Sequence, residues 1–308
     1  MSLVAMLKGK GENGLGYGST AEEATAGVDL GGKTILVTGV NAGLGLETMR
    51  VLHMRGGHIL AAARTADKAR GAIAQAGAGD RAIPIACELS EPAAVRACVE
   101  EVRALGHRLD AIVCNAGIMA LPRLEQKHGL ELQFLTNHIG HFLLVTGLLD
   151  QLADDGRVVM LSSEAHKQAP SDVGIELDNL SGERRYGPWR MYGQSKLANI
   201  LFASELARRM AGSGRIAMSV HPGVIRTELV RHLNPVMRGA FALAGPIGLK
   251  TIPQGAATQC YAAAHPDARQ HSGKYLADCN PARTTRHGQD EALAARLWTA
   301  SEAIAARL

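Results

Sequence analysis

The chain has 308 residues, 46% hydrophobic and 20% charged, with a net charge of +4; this is ordinary globular composition, long enough for one large domain or two small ones. Scattered Arg residues and few aromatics argue against a nucleic-acid partner. The Cys residues form no C-x-x-C pair and read as small buried hydrophobes of a reducing compartment, and no apolar run has signal-peptide or membrane-span length, so a cytoplasmic protein without a membrane span is expected.

Residues 1–30 read as an N-terminal extension, Gly-rich and then helical, with Ser19-x-x-Glu22 and Thr20-x-x-Glu23 as overlapping capping boxes. From Lys33 short apolar strands alternate with helices. Strands are expected at 33–39, 58–63, 82–87, 109–115, 157–163 and 215–220, with a short one near 274–276. Helices are expected at 44–57, 66–76, 92–105, over a long stretch 129–151, through Tyr192 to about Met210, and at 289–306. Strands apolar throughout and separated by helices predict a doubly wound parallel sheet of about seven strands, helices on both faces, in one domain over 31–308.

The first strand runs into Thr38-Gly39-Val40-Asn41-Ala42-Gly43-Leu44-Gly45 and then a helix. A glycine turn in that context lets the backbone approach a pyrophosphate, which meets free N–H groups and the positive end of a helix dipole. The second strand ends in Ala63-Arg64. An acidic residue there would suit a free ribose 2′-hydroxyl, whereas a guanidinium suits a 2′-phosphate. NADP(H) is therefore favoured, with NAD(H) still admissible.

Further polar or small residues fall at strand ends. Cys114-Asn115-Ala116-Gly117 closes the fourth strand, Ser163 the fifth, and His221-Pro222-Gly223-Val224-Ile225-Arg226-Thr227 follows the sixth. Asn137 lies in a helical run where an amide is a poor helix former unless it bonds something. His138 and His141 lie one turn apart on that helix and read as polar contacts rather than metal ligands. Tyr192 and Lys196, four apart in a helix, leave one face about 6 Å apart along the axis. A phenol beside an ammonium can serve as a proton-transfer group if the cation lowers its pKa. In an open α/β sheet the carboxyl edge is where ligands bind, so these segments converge on one crevice.

In this order, from about residue 32 to 280, the residues resemble the short-chain dehydrogenase/reductase family. The resemblance implies Tyr192 as proton donor and acceptor, and Lys196 as the group that lowers its pKa and holds the nicotinamide ribose. It implies that Ser163, chosen over Ser162, orients the substrate oxygen and that Asn137 holds a relay water. Gly39, Asn41, Gly43, Leu44, Gly45, Asn115, Ala116, Gly117, Pro222, Gly223, Val224 and Thr227 would line the cofactor. Glu88-Leu89 stands where the family usually has an Asp beside the adenine. NHIGHFLL, SSEAH, YGQSKLANILF, HPGVIRT and GKYLADC resemble the retinol-dehydrogenase-like branch.

That branch implies hydride transfer on a bulky, apolar alcohol, aldehyde or ketone. Two segments, near 164–190 and 227–253, are expected to cover the crevice. Met237, Phe241, Leu243, Ile247 and Leu249 in the second suggest an apolar pocket, or else the surface of a homo-oligomer. Two other readings stand beside this one. A catalytically silent NAD(P)-binding regulator or scaffold is opposed by the intact Asn137, Ser163, Tyr192 and Lys196. An extended-family epimerase or dehydratase would need a longer C-terminal third.

Overall fold

The structure, a computed structural model, describes residues 8–225 and 249–308. Its central strands are β1 (Thr34–Thr38), β2 (His58–Ala63), β3 (Ala82–Ala86) and β4 (Leu109–Cys114). A small hairpin, β5 (Gln126–Lys127) and β6 (Leu130–Glu131), follows. Then come β7 (Leu152–Leu161), β8 (Ile216–His221), β9 (Tyr275–Ala277) and β10 (Asn280–Pro281). The main sheet has the order β10-β9-β8-β7-β4-β1-β2-β3. All its pairings are parallel except β10 with β9.

The central strands β1 and β2 are mostly apolar on both faces because helices cover both. Leu36 and Leu60 point into one core, with the helices Pro92–Ala104, Gly140–Leu148 and Pro188–Arg209. Their strand neighbours Ile35, Val37, Ile59 and Ala61 point into the other, with Gly43–Met54, Ala66–Ala76 and Ile252–Ala264. Period-two alternation sends successive side chains to opposite faces, and each fully buried Leu or Ile contributes about 1.5–3 kcal/mol. The C-terminal helix Glu291–Arg307 packs outside the first layer, where Trp298 stacks on Phe202 at 5.4 Å. All five cysteines are buried and free.

The chain runs β1-β2-β3 in one direction from the sheet centre, and β4 then lies on the other side of β1. Connections leave β1 and β4 in opposite directions, which opens a crevice at their carboxyl ends.

The stretch 129–151 differs from the expected single helix. Leu130–Glu131 belongs to the hairpin, Leu132–Phe134 is one α-turn, Leu135–Ile139 is π-helical, and only Gly140–Leu148 is regular α-helix. Glu131 caps the run by accepting from the Phe134 N–H (2.8 Å), and burial holds its carboxyl above the usual carboxylate range. At the N-terminal helix, Thr20 and Glu23 form the capping box, while the Ser19 hydroxyl instead accepts from the Gly16 N–H (3.0 Å). No described helix is long and apolar enough to cross a membrane.

Candidate active site

The glycine turn is shaped by contacts with β4. Gly39 has φ +73°, and a Cβ on it would come 2.9 Å from the Ala116 Cα. A Cβ on Gly45 would lie 2.1 Å from the Gly39 carbonyl oxygen and 2.6 Å from Asn115 Nδ2. Only glycine fits at either place. The Asn115 amide donates to the Thr38 carbonyl (2.8 Å), and the Thr38 hydroxyl accepts from the Asn115 and Ala116 N–H groups (both 3.0 Å). The Gly43–Met54 helix begins at Ala42 without a side-chain cap. The helices starting at Ala21, Ala66, Ile252 and Glu291 are capped by side chains, whereas those starting at Pro92 and Pro188 also lack such a cap. An uncapped N-terminus beside exposed Asn41 and half-buried Leu44 leaves N–H donors and a positive dipole end for an anion.

Two residues outside the expected set fix this turn. His141 Nδ1 lies 3.0 Å from the Asn137 carbonyl oxygen, and its Nε2 lies 2.9 Å from the Thr38 hydroxyl. A carbonyl accepts only, so Nδ1 carries the proton and Nε2 accepts from Thr38. Burial drives the His141 pKa down to about 4, which keeps the ring neutral. Gln259, on the Ile252–Ala264 helix, donates to Asn115 Oδ1 (3.3 Å). His138 turns the other way, its Nε2 2.9 Å from the Ser301 hydroxyl.

On the nicotinamide-facing side expected from the sequence, Ser163, Tyr192, Lys196 and Asn137 come together. Ser163 ends the loop leaving β7, and its hydroxyl accepts from the Ala165 N–H (3.2 Å). Burial pushes the Tyr192 phenol up to about 12, and its hydrogen bond with Ser163 works against that rise. Ser162 instead points back, donating to the Lys196 carbonyl (2.8 Å). The approach of the Ser163 loop to Tyr192 depends on Gly193, where a Cβ would fall 2.5 Å from the Ala165 carbonyl oxygen. A glycine inside a helix costs about 1 kcal/mol relative to Ala, and that cost was the signal in the sequence for this close approach.

Lys196 is 3% exposed; its Nζ donates to the Leu161 carbonyl (3.0 Å) and lies 5.7 Å from the Tyr192 ring centroid. Burial pulls the ammonium down to about 8. The sequence led us to expect a phenol lowered by this cation, whereas in the folded chain desolvation outweighs the opposing Ser163 hydrogen bond and the phenol is raised. Asn137, in the π-helical segment, bonds Ile118 twice through its side chain and Ser195 once. Gly117 sits between these groups, with space for a Cβ bounded by Asn137 Oδ1 at 2.9 Å and Lys196 Nζ at 3.4 Å.

The opposite end of the crevice carries Arg64 and Glu88 on neighbouring strand ends, joined by the Cys87 N–H to Ala63 carbonyl bond (2.7 Å). Arg64 is exposed. The Glu88 carboxylate accepts from the Ser90 N–H (3.1 Å) and hydroxyl (3.0 Å). Leu89 is buried, its carbonyl packed against Gly140. Beyond β8, Pro222 and Gly223 are half-buried, Gly223 with φ +90°, and Val224 is 50% exposed. Thr227, Met237, Phe241, Leu243 and Ile247 lie outside the described residues, as does most of the 227–253 segment. In the 164–190 segment Ile175 and Leu180 are buried, Glu176 pairs with Arg190 (2.8 Å), and Val173 and Trp189 are exposed.

Comparison with known proteins places the chain in a family. Residues 33–174 match the family described as short chain dehydrogenase. The chain is 40% identical to the short-chain dehydrogenase TIC 32 A, chloroplastic, of Brassica napus, covering 97% of each chain. It is 37% identical to retinol dehydrogenase 11 of Mus musculus, over 90% of this chain and 87% of that one. Among solved structures, an uncharacterized protein from Mycobacterium paratuberculosis superposes with a TM-score of 0.74 at 32% identity, over 92% and 97% of the two chains. A short chain dehydrogenase from Burkholderia cenocepacia J2315 in complex with NADP does so with a TM-score of 0.61 at 28% identity, over 80% and 96%. The chain belongs to the short-chain dehydrogenase/reductase family, as an oxidoreductase acting on CH–OH groups that resembles the retinol-dehydrogenase branch.

Proposed function

We propose that the protein is an NADP(H)-preferring oxidoreductase of apolar alcohols and carbonyl compounds, with Tyr192 as the acid/base group. One observation carries this reading: a glycine cradle and uncapped helix end lie along the same sheet edge as a buried phenol, ammonium, hydroxyl and amide. When bound, the nicotinamide supplies the hydride to the carbonyl carbon, and the protein supplies position and electrostatics. Gly39, Gly43 and Gly45, with the free N–H groups after Ala42, would hold the pyrophosphate. Asn115, Ala116 and Gly117 would border the cofactor along β4. Arg64 would pair with a 2′-phosphate and Glu88-Leu89 would border the adenine, while Pro222, Gly223 and Val224 would border the nicotinamide.

Ser163 accepts the Ala165 N–H, so its own O–H is available to the substrate oxygen or to Tyr192. A phenol held up near 12 by burial is protonated at neutral pH. In the reductive direction it enters as a donor. Its proton passes to the substrate oxygen as negative charge develops there, and the buried Lys196 ammonium stabilises the phenolate left behind. Asn137 holds the strand-end loop and the Tyr192 helix in register. Exposed Trp189, ring edge to Tyr192 at 6.1 Å, and exposed Val224 are consistent with an apolar substrate.

The test is Tyr192→Phe with NADPH and a panel of ketones and aldehydes. We expect kcat to fall about 10²-fold or more, with NADPH affinity held within about twofold. Retained turnover would remove Tyr192 from the chemistry. A wild-type protein that binds NADPH and turns over no carbonyl or alcohol would favour a silent cofactor-binding regulator instead.

A further inference from the structure

Lys250 takes no part in the chemistry above, yet its side chain is fully buried and its Nζ lies 2.7 Å from Asp278 Oδ1. An ammonium is taken out of water only where a partner compensates it. The rest of the residue touches the loop after β8 in two ways. Its N–H donates to the Val224 carbonyl (2.9 Å), and it pairs with Ile225 in a parallel bridge. Its stem lies flat against Gly223, where a Cβ would come 2.6 Å from Lys250 Cδ and 2.9 Å from Cε. Gly223, at φ +90°, therefore rests on the lysine stem, and Asp278 holds that stem extended.

Asp278 is itself held in an unfavourable place. With Cys279 it forms the two-residue turn between β9 and β10, at φ +55° and +62°. Such turns favour Asn-Gly because other side chains are strained there. The N-terminal segment braces this one. Asn13 Nδ2 donates to the Cys279 carbonyl (2.8 Å), and Asn280 Nδ2 donates to the Leu15 carbonyl (3.1 Å). The Cys279 N–H donates to the Thr258 hydroxyl (3.2 Å). Lys8 Nζ lies 3.6 Å from Asp278 Oδ2, and the Tyr17 ring sits 4.9 Å from Lys250 Nζ and 4.8 Å from Lys8 Nζ.

We infer that Lys250 is a positioning residue for the nicotinamide side of the crevice: its stem supports Gly223 and Val224, and the N-terminal segment fixes it by bracing Asp278. This rests on the reading of the crevice as a nicotinamide-cofactor site. The adenosine half would lie at Arg64 and Glu88, just beyond the ends of β2 and β3, far across the sheet from β8. A positioning role therefore separates two ligands that a general loss of structure would weaken together.

The experiment is calorimetric titration of wild type, Lys250→Ala, Lys250→Met and Asn13→Ala with NADPH and with adenosine 2′,5′-bisphosphate, which carries only the adenosine half. For Lys250→Ala we expect NADPH to weaken about tenfold and the bisphosphate to change less than about twofold. Lys250→Met keeps the stem and should recover most of the NADPH affinity. Asn13→Ala loosens the brace from outside the crevice and should weaken NADPH by about two- to threefold alone, which keeps the inference testable if Lys250→Ala does not fold. Parallel loss of both ligands, or no loss of either, in the folded variants would overturn it. A wild type that binds neither ligand would overturn the underlying cofactor reading instead.

Discussion

The Asn137 side chain pairs with the main chain of Ile118 as an added rung of sheet would. Oδ1 accepts from the Ile118 N–H (2.8 Å), and Nδ2 donates to the Ile118 carbonyl (2.9 Å). Only one orientation of the amide satisfies both bonds. The same Nδ2 donates to the Ser195 hydroxyl (2.9 Å), which donates to the Tyr192 carbonyl (2.8 Å). The loop after β4 is thereby tied to the backbone of Tyr192 through two side chains. The π-helical segment Leu135–Ile139 is what turns Asn137 toward that loop, a common use of such segments at functional sites.

Asn137→Ala should therefore lose both stability and activity. It leaves the Ile118 N–H and carbonyl unpaired in a part-buried place, and we expect a loss of about 2–4 kcal/mol in urea denaturation. Displacement of the loop and of Tyr192 should lower kcat/KM about tenfold or more. Wild-type stability in this variant would show that water replaces the amide at no cost.

Lys196 should destabilise the fold in which it works. Burial lowers its pKa to about 8, whereas a solvated lysine titrates near 10.4, a gap of roughly 3 kcal/mol. The sign follows from proton counts. Below about pH 8 both states are protonated and the folded state bears the full desolvation penalty. Between about 8 and 10.4 the unfolded state binds more protons, so stability rises with pH until the penalty is relieved. Lys196→Met should be inactive yet more stable at pH 6–7, by about 1–3 kcal/mol, with the advantage shrinking above pH 8. The Leu161 carbonyl keeps a donor, Asn199 Nδ2 (3.0 Å). Thermal denaturation across pH 6–10 checks this; an advantage independent of pH would exclude Lys196 as its source.

Arg64 is exposed and forms no ion pair with any described residue, so it can be changed without disturbing the fold. Arg64→Asp should move the ratio of kcat/KM for NADPH over NADH by about tenfold or more toward NADH. Its unfolding free energy should stay within about 0.5 kcal/mol of wild type in urea denaturation. An unchanged ratio would mean that another group contacts the 2′-phosphate.

The amino-acid sequence by itself determined the layered sheet, the strand ends and the residues gathered at them. Those features depend on local periodicity and on Gly and Pro at turns, which short windows carry. β2 at 58–63 and the helix 66–76 fall where their patterns place them. The stretch 129–151 misled because it is buried almost throughout, polar side chains included, so periodicity could not separate a hairpin edge, a π-turn and a helix. Tertiary structure alone decided that His141 joins Thr38 to Asn137, that Gly193 admits the Ser163 loop, and that Lys250 reaches Asp278. It also reversed the expected direction for Tyr192. A contact between distant residues, and the desolvation that raises a buried phenol, depend on what the fold packs around a group, and neither is present in the chain before it folds.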